Sequence, residues 1–99
     1  MLGVSSDKDI NGICENLLGI SDHIILTESR NPRAMDVMSM LVALLNTIKK
    51  AGARKIQIDL VEDSGGALKR ALSLAKKTDL ILITGSFYLI GEIKLLTTP

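Results

Sequence analysis

Hydrophobic and polar positions along this chain switch repeatedly between two spacings. Residues 80–83, Leu80-Ile81-Leu82-Ile83, form an uncharged, β-favouring run that predicts a buried strand. Thr84-Gly85-Ser86 breaks the run and supplies a hydroxyl suited to a helix N-cap. Over residues 87–96, Tyr88, Leu89, Ile93 and Leu96 recur near helical spacing. The same alternation precedes it. Residues 1–4 read as the tail of a first strand. Ile10, Ile13, Cys14 and Leu17 predict a helix over residues 9–18, with Gly19 as its C-terminal cap. Residues 22–27 predict a second strand in which Ile24-Ile25-Leu26 is buried on both faces. A helix over residues 34–51, ending at Gly52, follows Pro32, which keeps Asn31 out of helical geometry. Ile56, Ile58 and Leu60 alternate in a third strand over residues 55–61. Ala67, Leu68, Ala71, Leu72 and Ala75 form the buried stripe of a helix over residues 64–77. Its Lys69, Arg70, Lys76 and Lys77 face water, the last two at the negative end of the helix dipole.

Strands that alternate with helices require a parallel sheet with right-handed crossovers. The expectation is a Rossmann-like, three-layer α/β domain. Its mainly parallel sheet has about four strands in the order 3-2-1-4, with helices on both faces. Ligands of such sheets sit beyond the carboxyl ends of the strands. Three loops then meet at one edge: residues 5–9, 28–33 and 84–88. The last opens a helix, whose free backbone N–H groups suit a phosphate or a carboxylate.

Composition narrows the picture. The 99 residues make a single domain. Hydrophobic residues are 46% and aromatics 2%, so Leu, Ile, Val, Ala and Met must build the core. The helix over residues 34–51 is more apolar than one sheet contact requires, with Met35, Val37, Met38, Met40, Leu41, Val42, Leu44, Leu45 and Ile48 spread over more than one face. A second covered face is expected there, against another domain, another helix or a second copy. The formal net charge of +1 gives no sign of nucleic-acid or membrane binding. The single cysteine, Cys14, lies on an apolar stripe and reads as a small core residue. Its free thiol fits a reducing, cytoplasmic setting. There is no membrane-length apolar run and no signal-peptide core at the start. His23 reads as a surface residue at a strand start. With no second histidine and no carboxylates at ligand spacing, no metal site is assigned.

The chain has no Gly-rich phosphate loop of either common type and no histidine–nucleophile arrangement. Arg33 is the leading binding candidate, because a guanidinium holds a carboxylate through two parallel hydrogen bonds. The competing reading is a surface arginine at a helix start, where its charge opposes the dipole. Lys8 could face a phosphate or pair with a neighbouring carboxylate.

Three strings, in order, carry a family resemblance: Ser6-Asp7-Lys8-Asp9-Ile10, then Thr27 through Asn31-Pro32-Arg33-Ala34, then Thr84-Gly85-Ser86-Phe87-Tyr88-Leu89-Ile90-Gly91-Glu92. The chain resembles the C-terminal domain of folylpolyglutamate and dihydrofolate synthases, ligases of the Mur superfamily. The resemblance implies a parent enzyme in which ATP phosphorylates a folate or pteroate carboxylate and L-glutamate attacks the acyl phosphate. It places Asn31 and Arg33 where diaminopimelate-adding Mur ligases carry an Asp-Asn-Pro-Arg motif that grips the incoming amino acid. Here Arg30 stands in place of the Asp. It further implies that Ser86 and Tyr88 help hold glutamate, and that Asp7, Lys8 and Asp9 lie near an interdomain ATP site. No catalytic residue is assigned to this chain. The P-loop, the Mg2+ ligands and the folate pocket belong to an N-terminal domain that this sequence lacks. The family's Asp-x-Ala-His-Asn-Pro segment is also missing, and the first strand is clipped to Leu-Gly-Val. The isolated chain is therefore expected to be inactive as a ligase. Two alternatives remain. One is a non-catalytic α/β binding or dimerisation module using the helix over residues 34–51. The other is a receiver-like signalling domain, suggested by Asp59 and Thr84, for which the chain is short.

Overall fold

In a computed structural model the protein is described over residues 1–52 and 55–97, with Phe87 described by its backbone. The element order is α1 (Ile10–Leu18), β1 (His23–Glu28), α2 (Val37–Ala51), β2 (Gln57–Asp63), α3 (Ser64–Leu74) and α4 (Phe87–Thr97). β1 and β2 pair in parallel, with His23 opposite Gln57 and Leu26 opposite Leu60. The register shifts between Leu26 and Glu28. At that irregularity the fully buried Thr27 donates its hydroxyl to the Glu62 carbonyl at 3.2 Å.

The two outer segments of the expected sheet are present only as short contacts. Leu2 makes isolated parallel bridges to Leu26 on one side and to Thr84 on the other. Leu2 N–H donates to Ile25 O at 2.8 Å, and Thr27 N–H to Leu2 O at 2.9 Å. Thr84 N–H donates to Met1 O at 3.1 Å, and Gly3 N–H to Thr84 O at 3.3 Å. The regular sheet is thus two-stranded, where four strands were expected. A strand needs a neighbour along its length, and residues 1–4 offer only these few rungs. Residues 80–83 accordingly form no regular strand, and Leu80 is 91% exposed.

Side chains of β1 alternate across the sheet as the uncharged triplet requires. Ile24 and Leu26 join Leu2, Val4, Cys14, Leu17, Val37, Met40 and Leu44 beneath α1 and α2. Ile25 points the other way, against Ala67 and Ala71 of α3, with Met1, Val61 and Ile81 around them. Helices therefore cover both faces. Cys14 is a core residue, and burial pushes its thiol pKa up, away from reactivity. β2 is an edge strand with exposed Gln57, Leu60, Glu62 and Asp63, which explains why charged residues end it.

Helix boundaries depart from the sequence expectation at two places. α2 begins at Val37, three residues later than the pattern suggests. Ala34 is held in an antiparallel bridge with Ser5, and Met35 N–H donates to Val4 O at 2.8 Å. Asp36 then caps the helix by accepting from Ser39 N–H at 3.0 Å. α3 ends at Leu74, because Ala75 is extended and the Asp79 carboxylate accepts from Lys76 N–H at 2.8 Å. Lys76 and Lys77 therefore lie in a turn and not on the last turn of a helix. α2 does carry the expected second apolar face. Met38, Val42 and Leu45, spaced along one stripe, are 56%, 57% and 49% exposed, so no described residue of this chain covers them fully.

Candidate functional site

The site forms where the parallel segments end. Residues 5–8 turn away from the first segment, with Lys8 N–H donating to Ser5 O at 3.1 Å. Residues 29–36 leave β1 and fold back alongside that turn. Ser6 N–H donates to Arg33 O at 2.7 Å, and Ser5 pairs with Ala34. The third wall is the turn into α4. Gly85 has φ +107°, and a Cβ there would lie 2.6 Å from Gly3 O and 2.7 Å from Val4 Cγ1. Only glycine lets this turn pack so closely on the first segment.

These three loops enclose a cleft of about 450 Å³ lined by Ser5, Asp7, Lys8, Asn31, Arg33, Ser86 and Tyr88. Six of the seven residues singled out from the sequence thus share one cleft. The exception is Asp9, whose carboxylate accepts from Gly12 N–H at 3.1 Å and caps α1. Ser5 lines the cleft without having been singled out. Its sequence context, a serine pair before Asp7, marks a turn but not which hydroxyl faces inward.

Several of the lining groups have hydrogen-bonding capacity to spare. Arg33 is exposed, and among the described residues its guanidinium has no hydrogen bond or ion pair. It lies in a turn ahead of α2, so the helix dipole does not act on it as the sequence reading supposed. The N-terminus of α2 is instead occupied by acidic groups, because Glu28 Oε2 also accepts from Val37 N–H at 3.0 Å. Hydrogen bonding to Ser39 holds the Asp36 carboxyl below its ordinary pKa. Asn31 uses its side-chain oxygen to accept from Arg33 N–H at 3.1 Å, which orients the amide and leaves its NH₂ as a donor. Ser86 Oγ caps α4 by accepting from Tyr88 N–H at 3.1 Å and Leu89 N–H at 3.4 Å. Its hydroxyl proton remains available to an acceptor in the cleft. Tyr88 is 61% exposed at the cleft wall. With Lys8 and Arg33 against Asp7, the formal charges of the lining residues sum to +1, which suits an anion.

Polar chemistry at the other end of β1 is separate from this cleft. His23 Nε2 lies 2.8 Å from Asp59 Oδ2, and Arg70 Nε lies 3.1 Å from the same oxygen. Burial acts to raise the Asp59 pKa, but hydrogen bonds and charge from Arg70 and His23 outweigh it and hold the carboxyl below its ordinary value. Asp59, the third residue of β2, is thus engaged in a structural ion pair with His23 and Arg70. Among the described residues no group of three or more His, Cys, Asp or Glu could hold a metal ion. No described helix is long and apolar enough to cross a membrane.

Comparison with known proteins bears on this cleft. The family described as Mur ligase, glutamate ligase domain matches residues 1–87. Among solved structures, a Mycobacterium tuberculosis folylpolyglutamate synthase complexed with ADP and AMPPCP superposes with a TM-score of 0.78 at 29% identity. The match covers 96% of this chain and 22% of that one. A second structure of folylpolyglutamate synthase from the same organism, complexed with ADP, gives a TM-score of 0.76 at 22% identity, over 99% of this chain and 23% of that one. The second likeness bears on the fold alone. The chain therefore spans less than a quarter of the length of these synthases. No curated protein matches the chain significantly.

Proposed function

We propose, because the chain belongs to the Mur ligase glutamate ligase domain family, that it is the glutamate-holding C-terminal domain of an ATP-dependent folylpolyglutamate or dihydrofolate synthase. In the parent reaction ATP phosphorylates a folate or pteroate carboxylate. The amino nitrogen of L-glutamate attacks the acyl carbon, the new C–N bond forms and phosphate leaves. The observation that carries this reading is the convergence of Asn31, Arg33, Ser86 and Tyr88 in one cleft. Arg33 offers a bidentate cation to a glutamate carboxylate, and Asn31 NH₂ and Ser86 OH are donors beside it. Lys8, on the opposite loop, supplies a cation for phosphate, with Asp7 next to it.

ATP and Mg2+ serve the parent enzyme and are held mainly by its other domain, as is the folate. The AMPPCP and ADP complexes of the similar synthase support a nucleotide-dependent parent. The isolated chain is proposed to be inactive as a ligase, since it corresponds to 22% of that synthase. The four-strand order 3-2-1-4 belongs to the same proposal, supported by Leu2 bridging both Leu26 and Thr84. A cytoplasmic location is proposed with it, supported by the free thiol of Cys14.

A second reading, a non-catalytic binding or dimerisation module, draws on the exposed stripe of Met38, Val42 and Leu45. Three half-exposed side chains fall far short of the roughly 800 Å² per partner of a stable interface. The ligase reading therefore expects a monomer at micromolar concentration, with the stripe left for the parent's other domain. Sedimentation equilibrium checks this, and a concentration-dependent dimer would favour the module.

The direct test is an amide NMR titration of this chain with millimolar L-glutamate, then with Mg-ATP, beside an Arg33→Ala control. Shifts at residues 31–34 and 85–88 with glutamate, absent from the control, are expected. A folded spectrum that glutamate leaves unchanged would refute glutamate capture by this chain.

A further inference from the structure

We propose that Glu92 is a positioning residue, which fixes the loop carrying Asn31 and Arg33 against α4 so that both present one binding surface. Glu92 is half-buried on α4, one turn beyond Tyr88 and on the same face. Both of its oxygens are engaged by different elements. Arg30 N–H donates to Oε2 at 2.7 Å, and the Ser64 hydroxyl donates to Oε1 at 2.8 Å. Ser64 is the buried first residue of α3. One carboxylate thus joins the loop after β1, the start of α3 and the helix that carries Tyr88.

The loop needs such an anchor. Within itself it is a small bonded unit. Asn31 N–H donates to Ser29 Oγ at 3.3 Å, Arg33 N–H to Asn31 Oδ1 at 3.1 Å, and Ala34 N–H to Asn31 O at 2.9 Å. Its far end is zipped to the first loop through Ser6 N–H and Val4 O. Its near end meets α4 through the charge-assisted bond at Arg30. Released there, the near end can swing about the zipped end, which holds the Arg33 carbonyl, and carry the Asn31 amide that braces Arg33 N–H away from Ser86. Alanine at this position removes both bonds, whereas glutamine would keep them, its Oε1 accepting from Arg30 N–H and its NH₂ donating to the Ser64 hydroxyl turned to accept. Arg30 is exposed, so water replaces the lost bond, and the loss falls on position more than on stability.

The test compares Glu92→Ala with Ser64→Ala in this chain, by amide NMR and hydrogen exchange at residues 30–34 and by L-glutamate titration. Only the titration rests on the glutamate reading. In Glu92→Ala the resonances of residues 30–33 move, Arg33 and Ala34 amides exchange faster, and the glutamate dissociation constant rises roughly tenfold, the scale of a displaced binding group. In Ser64→Ala, which removes the bond to α3 and keeps that to Arg30, resonances 30–33 stay in place. Unchanged resonances 30–33 in Glu92→Ala would overturn the proposal. So would equal shifts in both variants, which would make Glu92 a tie between α3 and α4, and so would unchanged glutamate affinity in Glu92→Ala. If the unsubstituted chain shows no glutamate shifts, the glutamate reading fails, and the amide comparison still decides what Glu92 does.

Discussion

Gly85→Ala is the sharpest perturbation of the turn on which the cleft depends. Gly85 has φ +107°, a region that costs an ordinary L-residue on the order of 1–3 kcal/mol. The added Cβ would also meet Gly3 O at 2.6 Å, Val4 Cγ1 at 2.7 Å and Leu2 Cδ1 at 2.9 Å. The carbonyl belongs to the backbone. Leu2 and Val4 are 1% and 2% exposed, so neither side chain has solvent to swing into. Such overpacking costs about 1–3 kcal/mol more. The two together come to roughly 2–6 kcal/mol, against a whole-domain stability of about 5–15 kcal/mol.

Urea unfolding followed by far-ultraviolet circular dichroism reads this directly. With a slope of about 1–3 kcal/mol per molar, the midpoint should fall by roughly 1–3 M. Gly91→Ala is the matched control. Gly91 lies inside α4, and a Cβ there meets nothing within 4 Å. Alanine should stabilise that helix by about 0.5–1 kcal/mol. A loss below about 1 kcal/mol at Gly85, or equal effects at both glycines, would refute the packing argument. Any Gly85→Ala protein that still folds should also lose its response to L-glutamate, because the displaced turn carries Ser86.

Three further outcomes follow from the geometry. In the ligase proposed as its parent, Arg33→Ala should raise KM for glutamate more than KM for ATP, by roughly tenfold or more, since a charge-assisted pair is worth about 1.5–3 kcal/mol; steady-state kinetics with each substrate varied checks it. Asp59→Asn should cost at most about 1 kcal/mol near neutral pH, because its partly exposed pair is screened by solvent. The Asp59 pKa is lowered in the folded protein, so its contribution is present above the unfolded value near ~3.9 and is lost as pH falls through the lower folded value; the gap between the two proteins in urea melts should close there. Cys14→Ser should destabilise the chain by about 1–3 kcal/mol, because a hydroxyl would enter a fully buried apolar cluster, and the loss should appear in the same melts.

Much of the fold is legible because it rests on local periodicity. Ile24-Ile25-Leu26 has no polar member, and the structure places its residues alternately against α2 and α3. The stripe of α1 is legible for the same reason; that of α3 is so only in part, since Ala67 and Ala71 are buried but Leu72 is 60% exposed and Ala75 lies past the end of the helix. What escapes is set by partners distant in sequence. Leu80-Ile81-Leu82-Ile83 has the composition of a strand, but composition does not supply the neighbouring rungs. Glu62 and Asp63 look like loop residues, yet an edge strand tolerates charge and β2 runs through them. Two local signals do mark the boundaries that differ. Asp36 three residues before Ser39 is a capping pair, and Asp79 three residues after Lys76 marks a turn.

Arg33 shows why a candidate can survive the loss of one of its supports. Sequence pattern places it at a helix start, where opposing the dipole would argue for a compensating ligand. In the structure Ala34 and Met35 are held by the first loop, α2 starts at Val37, and Asp36 and Glu28 satisfy its N-terminus. The dipole premise is therefore gone. Non-local contacts put something stronger in its place. The Ser5–Ala34 bridge brings Lys8 to the same cleft as Arg33, and Gly85 brings Ser86 within reach of both. The guanidinium there has no partner among the described residues. An exposed arginine without a partner is ordinary on a surface. One gathered with a lysine, an amide donor and a hydroxyl in a single cleft supports the proposed binding role, and that gathering is a property of the fold which no stretch of the sequence carries alone.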